Sequence, residues 1–203
     1  GNIYRTLAND FQYANPYNLV IFADNHDMQR TFSLLNERLD LYKMALSFIA
    51  TTRGIPQIYA GTEIAMPSTE DHGELRKDFP GGWKGDKADA FKNTGLSKIQ
   101  IDAKNFMRTL LNWRKSSNSI SNGTLVHYPV TNGIYVYFRI YKNDILMVVM
   151  NNKNNVEMLN LDMFRETITN KNKGIDVISG EHYNLSKKIK LTPKTTLILE
   201  LKS

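Results

Sequence analysis

An apolar segment near the N-terminus ends abruptly in polar residues whose types could bind a ligand. Residues 19–23 are apolar, and Asp24, Asn25, His26 and Asp27 follow at once. Ligands bind at the carboxyl ends of strands in parallel α/β sheets and barrels, so polar groups at that place are candidates for chemistry. Asn and Asp are also common in the turn before a helix. Spacing alone therefore leaves two functions open, ligand binding and turn capping.

The elements around this segment alternate between extended and helical patterns. Residues 19–23 and 55–60 are apolar runs of strand length, which predict strands buried on both faces of a parallel sheet. Between them, residues 37–53 repeat apolar side chains at steps of three and four, the period of an amphipathic helix. This order predicts a strand–helix–strand unit whose strands run parallel.

A long irregular stretch and a second helix complete the first half of the chain. Residues 61–95 are rich in Gly, Pro and charged side chains, and loops of this length in compact domains are usually functional. Apolar residues then recur at steps of four and three over residues 97–115. We predict a helix there with one buried face.

The second half of the chain changes to a period of two. Residues 134–141 alternate, and Asn143-Asp144 separates them from an apolar run at residues 145–150. This pattern predicts a β-hairpin with a short polar turn. We predict a small antiparallel β-sandwich of roughly six to eight strands over residues 119–203.

Three segments of the first half occur in an informative order. They are FADNHD at residues 22–27, GIPQIYAGTEIAM at 54–66 and LRKDFPGGW at 75–83. They resemble, respectively, the seventh barrel strand, the eighth strand with its turn, and a following loop of the α-amylase superfamily, glycoside hydrolase family 13, in its neopullulanase and cyclomaltodextrinase-like branch. The resemblance implies that residues 1–118 are the C-terminal quarter of a TIM (β/α)8 barrel, ahead of the sandwich.

The resemblance implies roles for the polar triplet. Asp27 matches the third catalytic carboxylate of the family, which binds sugar hydroxyls and favours the oxocarbenium-like transition state. His26 matches a neighbour that donates a hydrogen bond to a substrate hydroxyl, and Asn25 belongs to the same substrate-binding triplet. The alternative for His26 is a turn histidine satisfied by the backbone.

Further candidates for substrate binding carry charge. Arg30 lies one turn beyond Asp27, where it would pair with that carboxylate, reach a sugar, or be a plain surface arginine. Arg76 and Asp78 would line an outer subsite, because a guanidinium and a carboxylate suit vicinal hydroxyls. The alternative for both is an exposed loop charge.

For three other residues of the loop region, the sequence gives weaker evidence of a role in sugar binding. Phe79 and Trp83 would stack on a sugar face, although aromatic residues beneath long loops are more often tucked into the protein. Glu63 resembles the family glutamate that braces the barrel, and we expect it to be structural.

The resemblance implies a retaining α-glucan hydrolase acting on α-1,4 or α-1,6 bonds of maltooligosaccharides, cyclodextrins or pullulan. Such enzymes need a nucleophile and an acid/base carboxylate about 5 Å apart. No segment of this chain resembles the strands that carry those two groups. We therefore predict that the chain is inactive by itself. The sequence implies no cofactor, and four widely separated histidines indicate no metal site.

Composition restricts the partners. The longest apolar run, at residues 145–150, is far shorter than the roughly 20 residues that cross a bilayer, so we expect no membrane partner. A net charge of +6 raises the question of nucleic acid. The lysines are spread along predicted strand edges and turns, which favours protection of sheet edges over nucleic-acid binding. No export signal is visible in residues 1–11, and the sequence does not decide between a periplasmic and a cytoplasmic location.

Two further hypotheses concern the chain as a module. The alternative function is a non-catalytic glucan-binding or interaction module centred on the β-sandwich. Its platform would be Tyr135, Tyr137 and Tyr141 on one strand face, although such a face more often packs against a neighbouring domain. In addition, two barrel strands alone would expose sheet edges, which predicts self-association or a degradation product with a surviving core.

Overall fold

The computed structural model describes residues 2–203 of the chain. The helices are α1 (Asn2–Ala8), α2 (Thr31–Leu34), α3 (Leu39–Thr51), α4 (His72–Leu75), α5 (Lys98–Ser116) and α6 (Asn118–Asn122). The strands are β1 (Val20–Ile21), β2 (Ile55–Pro56), β3 (Thr124–His127), β4 (Ile134–Tyr141), β5 (Asp144–Asn151), β6 (Glu157–Leu159), β7 (Lys173–Asp176), β8 (His182–Asn184), β9 (Ile189–Leu191) and β10 (Thr195–Lys202). Among the described residues, no helix combines the length and the apolar character needed to cross a membrane.

The strand–helix–strand unit is present, with β1 and β2 parallel and α3 between them in the chain. Both strands are shorter than the apolar runs that predicted them. The expectation that they are buried on both faces is wrong in this chain, where Val20, Phe22 and Ile55 are 55%, 40% and 53% exposed. The physical reason is that the parallel sheet has two strands in residues 2–203, so neighbouring strands do not cover these side chains.

Helix α5 confirms the predicted amphipathic pattern. Ser97 precedes it as a capping box: its hydroxyl accepts a bond from the Gln100 backbone N–H at 3.2 Å, and the Gln100 side chain accepts one from the Ser97 N–H at 2.9 Å. Ala103, Phe106 and Leu110 are buried on the face that packs with α3. Helix α3 of this pair also packs against β10 of the second half.

The second half forms a six-stranded antiparallel sheet in the order β3-β4-β5-β10-β7-β8, with a separate β6-β9 pair. The β4–β5 hairpin is confirmed, but its turn lies one residue earlier than predicted. Tyr141 pairs with Asp144, so the turn is Lys142-Asn143, and Lys142 adopts a φ of 52°. A left-handed backbone at the first turn residue matches the twist of a tight hairpin.

The central strands of this sheet are buried on both faces. Tyr135 and Tyr137 on β4 pack with the helices of the first half, whereas Val136 and Phe138 face the β6–β9 layer. Tyr137 is 0% exposed. The exposed aromatic platform that would have supported a glucan-binding module is therefore wrong, because helix α3 and its neighbours cover that face.

A buried arginine joins the two halves. Arg139 on β4 donates to the backbone carbonyl oxygens of Thr52 (2.6 Å), Ile120 (2.6 Å) and Gly123 (2.9 Å). Beside it, the hydroxyls of Tyr137 and Thr51 lie 2.5 Å apart. Burial lowers the pKa of Arg139 and raises that of Tyr137. The two halves thus share one core. The domain boundary between residues 118 and 119 stays a prediction.

Candidate active site

The parallel pairing of β1 and β2 brings two polar loops to one edge of the sheet. The Ile55 N–H donates to the Leu19 carbonyl at 2.8 Å, and the Gln57 N–H donates to the Ile21 carbonyl at 2.8 Å. Because parallel strands end on the same side, residues 22–27 and 57–63 leave the sheet together. This edge is where the candidate residues meet.

Asp24 ties the two loops together from beneath. Its carboxylate accepts the Thr31 backbone N–H at 2.8 Å and the Thr62 hydroxyl at 2.8 Å, and its side chain is buried. The Tyr42 hydroxyl donates to the Thr62 carbonyl, and burial raises the pKa of Tyr42, with Asp24 acting in the same direction. The sequence placed Asp24 among the polar residues after the apolar run but indicated no specific role for it.

Asp27 presents its carboxylate to solvent, with a side-chain exposure of 59%. One oxygen accepts a bond from Arg76 Nη2 at 2.7 Å, and the other lies 3.2 Å from His26 Nε2. Arg76 Nε also donates to the His26 carbonyl at 3.2 Å. The Asp27 N–H donates to Asn25 Oδ1 at 2.8 Å, so Asn25 shapes the turn that carries the carboxylate. Asn25, His26, Asp27 and Arg76 therefore form one cluster.

Arg30 does not join this cluster. It is 1% exposed, its Nη1 donates to the Ala60 carbonyl at 2.7 Å, and its guanidinium carbon lies 4.0 Å from the centre of the Tyr59 ring. The expectations of a surface arginine, of a pair with Asp27 and of a direct sugar contact are therefore corrected. A guanidinium stacked beneath an aromatic ring and bonded to the backbone stabilises the loop after β2 instead.

Tyr59 is a second residue that the sequence prediction missed. Its ring centre lies 6.4 Å from that of His26 in an edge-on arrangement, and Arg30 occupies one of its faces. The Tyr59 hydroxyl donates to the Leu75 carbonyl at 3.4 Å, which connects it to the segment that carries Arg76. A tyrosine just after an apolar strand was the signal for this position.

Within residues 2–203, the remaining candidates of the long loop make no hydrogen bond or ion pair with this cluster. Asp78 is exposed and forms no hydrogen bond or ion pair with the residues that the structure describes, so its role stays a prediction. Phe79 is half-buried, with its ring centre 5.3 Å from that of Phe91, whereas Trp83 is exposed. Glu63 accepts the Gly61 N–H at 2.8 Å and closes the turn after β2, which fits a bracing residue.

The cluster can bind a neutral polar ligand. An exposed carboxylate held by a guanidinium and an imidazole keeps free lone pairs for hydroxyl donors. It also favours any positive charge that develops on the ligand. No group of three or more metal-ligating side chains lies together between residues 2 and 203.

Comparison with known proteins agrees with this arrangement. The family described as "Alpha amylase, catalytic domain" matches residues 2–132, and the one described as "Cyclo-malto-dextrinase C-terminal domain" matches residues 125–200. The chain belongs to the α-amylase family. Its fold is accordingly the end of a (β/α)8 barrel, strands seven and eight with their helices, followed by an antiparallel β-sandwich.

Relatives of this α-amylase family chain are longer proteins. It is 29% identical over 150 residues to a cyclomaltodextrin glucanotransferase of Thermoanaerobacterium thermosulfurigenes and 31% identical over 152 residues to one of Niallia circulans. Each alignment covers 74% of this chain and 18% of the relative. The chain thus spans about a fifth of the length of the curated relatives it matches.

Solved structures show the same fold. An Anoxybacillus α-amylase superposes with a TM-score of 0.78 at 24% identity, covering 99% of this chain and 42% of that one. The Geobacillus thermoleovorans α-amylase, solved with acarbose, gives 0.75 at 22% identity, covering 99% and 43%. At these identities the likeness concerns the fold.

Proposed function

We propose that this chain is the part of a retaining α-glucan hydrolase or transferase that stabilises the transition state through Asp27. The observation that carries the proposal is the accessible Asp27 carboxylate at the strand end, held by Arg76 at 2.7 Å and beside His26 at 3.2 Å. Membership of the α-amylase family supports the reaction class. The proposed substrates are maltooligosaccharides, cyclodextrins or pullulan, cleaved at α-1,4 or α-1,6 bonds.

Asp27 acts by binding the transition state more tightly than the substrate. As the scissile bond lengthens, the sugar ring flattens and becomes positive, so a fixed carboxylate interacts with it more strongly than with the ground state. The Arg76 guanidinium and the Asn25 turn fix the position of that carboxylate before substrate arrives. His26 donates to a sugar hydroxyl in the same subsite.

The outer residues have supporting roles in the proposal. Arg76 can exchange part of its bond with Asp27 for a sugar hydroxyl, because both side chains are more than half exposed. Asp78 extends the subsite along the loop. Arg30 acts at a distance by stacking beneath Tyr59, which lies beside His26.

The decisive experiment is Asp27→Asn in an enzyme that contains this chain and a complete barrel. We expect kcat on maltoheptaose to fall by about 10²–10³-fold with a smaller change in KM, because the lost interaction belongs to the transition state. Asp162→Asn is the matched control, since that carboxylate is exposed on the sandwich surface. Full turnover by the Asp27→Asn enzyme would refute the proposal.

The isolated chain should not hydrolyse glucans, because the nucleophile and acid/base remain unassigned to any of its residues. A preparation free of longer species should release no reducing sugar from maltoheptaose. Release that survives further purification of the chain would contradict this proposal.

Hydrolysis and transfer are separated by their products. The curated relatives are named cyclomaltodextrin glucanotransferases, which supports transfer as one outcome. Chromatography of products formed from linear maltooligosaccharides would show cyclodextrins if transfer dominates and short linear sugars if hydrolysis does.

We also propose that the chain self-associates through its parallel strands. Val20, Phe22 and Ile55 are exposed, and the β1–β2 sheet has no further strand within residues 2–203. Unpaired strand edges beside apolar side chains favour pairing between chains. Light scattering after size-exclusion chromatography should give a mass above 23.3 kDa at high concentration, and a monomer would contradict this.

A further inference from the structure

The chain contains two Asn-Gly dipeptides, Asn122-Gly123 and Asn132-Gly133. Asparagine is one of the thermally labile residue types. Its side-chain amide is open to attack by the backbone nitrogen of the next residue, and a glycine in that position leaves the attack uncrowded because it has no Cβ. The two dipeptides are alike in sequence, so any difference in their reactivity comes from the structure around them.

Asn132 and Gly133 form an exposed two-residue turn just before β4. The Thr131 N–H donates to the Ile134 carbonyl at 3.0 Å, and the Ile134 N–H donates to the Thr131 carbonyl at 2.9 Å. Asn132 and Gly133 have φ values of 51° and 73°, the left-handed backbone that Asn-Gly turns adopt. Within residues 2–203, the Gly133 N–H has no hydrogen-bond partner. The attacking nitrogen therefore loses no hydrogen bond when it reacts.

Asn122 and Gly123 are held at the end of a helix. Asn122 is the last residue of α6, and the Gly123 N–H donates to the Ser119 carbonyl at 3.1 Å. Gly123 is buried, and its carbonyl accepts a bond from Arg139 at 2.9 Å. Attack by the Gly123 nitrogen requires these bonds to open first, because the backbone must leave the helical conformation.

A lysine lies beside the Asn132 amide. Lys153 Nζ donates to Asn132 Oδ1 at 3.3 Å and lies 2.6 Å from Glu157 Oε1. Conversion of the amide to a carboxylate would give this ammonium a second acidic partner at the same place. The turn therefore accommodates an aspartate at position 132 without rearrangement.

We propose that Asn132 is a site of spontaneous deamidation and that the fold protects Asn122. The Gly133 nitrogen gives its proton to hydroxide and bonds to Cγ of Asn132, the bond from Cγ to Nδ2 breaks, and the leaving nitrogen takes a proton from water as ammonia. Water then opens the five-membered imide to aspartate or isoaspartate. The net reaction consumes one water, releases one ammonia and changes no oxidation state. It does not depend on the proposed function.

The isoaspartyl product would alter the turn before β4. Its backbone runs through the former side chain, which adds one carbon atom to a two-residue turn and disrupts the paired bonds between Thr131 and Ile134. Strand β4 carries Tyr137 and Arg139 into the junction of the two halves. Formation of isoaspartate should therefore lower the midpoint of urea unfolding, whereas the aspartyl product keeps the turn and pairs with Lys153.

Incubation of the 203-residue chain at mildly alkaline pH, followed by peptide mass spectrometry, tests the proposal. Deamidation adds about one dalton. We expect the peptide with Asn132 to gain it about tenfold faster than the peptide with Asn122, because only the latter must first break backbone hydrogen bonds. Asn143 is a second matched control: it is also exposed in a hairpin turn, but the Cβ of Asp144 crowds the attack. Asn132→Asp provides the reference for the aspartyl product.

The same incubation in urea separates the contribution of the fold from that of the sequence. Unfolding removes the protection of Asn122, so the rates at Asn122 and Asn132 should come within about twofold of each other. A rate ratio that persists in urea would assign the selectivity to local sequence and overturn the proposal. Equal rates at Asn122 and Asn132 in the folded chain, or a faster rate at Asn143, would overturn it as well.

Discussion

The guanidinium group has opposite roles in two regions of the molecule. One arginine lies at the strand-end edge of the parallel sheet, and the other lies at the junction of the two halves. Arg76 is 51% exposed and pairs with the Asp27 carboxylate, whereas Arg139 is 2% exposed and donates to backbone carbonyls. A solvent-exposed pair exchanges partners readily, but a buried guanidinium whose two terminal nitrogens donate to the backbone cannot. The difference separates an accessible cluster of charged side chains from a buried junction that holds the two halves together.

The largest effect on stability should come from Arg139→Ala. Three backbone carbonyl oxygens would lose a buried donor, and each unsatisfied group costs about 1–3 kcal/mol, so we expect a loss of about 3 kcal/mol or more. Urea unfolding measures it. Arg139→Met retains volume and isolates the hydrogen bonds, and the exposed Arg38→Ala should leave the urea midpoint unchanged. Equal midpoints for Arg139→Ala and Arg38→Ala would remove the contrast between the two regions.

Asp24→Ala should follow, because Asp24 lies beneath the site and yet is buried. It accepts two bonds, from the Thr31 N–H and the Thr62 hydroxyl, and bonds to a charged group contribute about 1.5–3 kcal/mol. We expect about 2–3 kcal/mol of destabilisation in urea unfolding. Asp27→Ala, an exposed carboxylate three residues further on, is the control and should cost much less. A larger cost at Asp27 would mean that the cluster itself maintains the fold.

Tyr137→Phe should cost about 1 kcal/mol, since Thr51 keeps its own bond to the Ser47 carbonyl at 2.6 Å. The clearest effect of Tyr137→Phe is expected in the free energy of unfolding at alkaline pH. Burial raises the pKa of Tyr137 in the folded protein, so the unfolded chain loses this proton first, and stability falls as pH rises above about 10. The variant should lose stability less steeply than the parent between pH 10 and 12, by up to about 1.4 kcal/mol per pH unit. Identical slopes in pH-dependent urea unfolding would contradict the buried phenol.

The smallest effect on stability is expected at Arg76. An ion pair between two side chains that are both more than half exposed contributes about 0–1 kcal/mol, so Arg76→Ala should barely shift the urea midpoint. In an enzyme with a complete barrel, the same variant should lower kcat/KM about tenfold. Arg76→Lys keeps the charge but loses the planar set of guanidinium N–H donors, so it should recover part of the loss in kcat/KM. If Arg76→Ala lost as much stability as Arg139→Ala, both arginines would serve to stabilise the fold.

Local patterns predicted much of the fold. The steps of three and four at residues 97–115 correspond to α5, and the strand–helix–strand order gave the parallel pairing of β1 with β2. The period of two predicted the β4–β5 hairpin but not the burial of Tyr135 and Tyr137. Alternation shows that a strand has two faces; which layer covers each face depends on helices far away in the chain.

The candidate site was predictable in part. Short motifs identified Asn25, His26, Asp27 and Arg76, and the structure brings these four together. Arg30 was predicted to pair with Asp27, reach a sugar or lie on the surface, because a helical step from Asp27 indicates proximity but not burial. Asp24 and Tyr59 received no role from the sequence, since their partners, Thr62 and Arg30, lie about 30 to 40 residues away in the sequence.

By itself, the sequence determined the family, the order of the elements and the position of Asp27 after the first strand. The reason is that motifs and periodicities are local properties of a chain. Only the tertiary structure decided which charges are buried and which stay accessible, since burial depends on side chains that distant segments bring together. Arg30 and Arg139 became structural, and Arg76 stayed accessible beside Asp27.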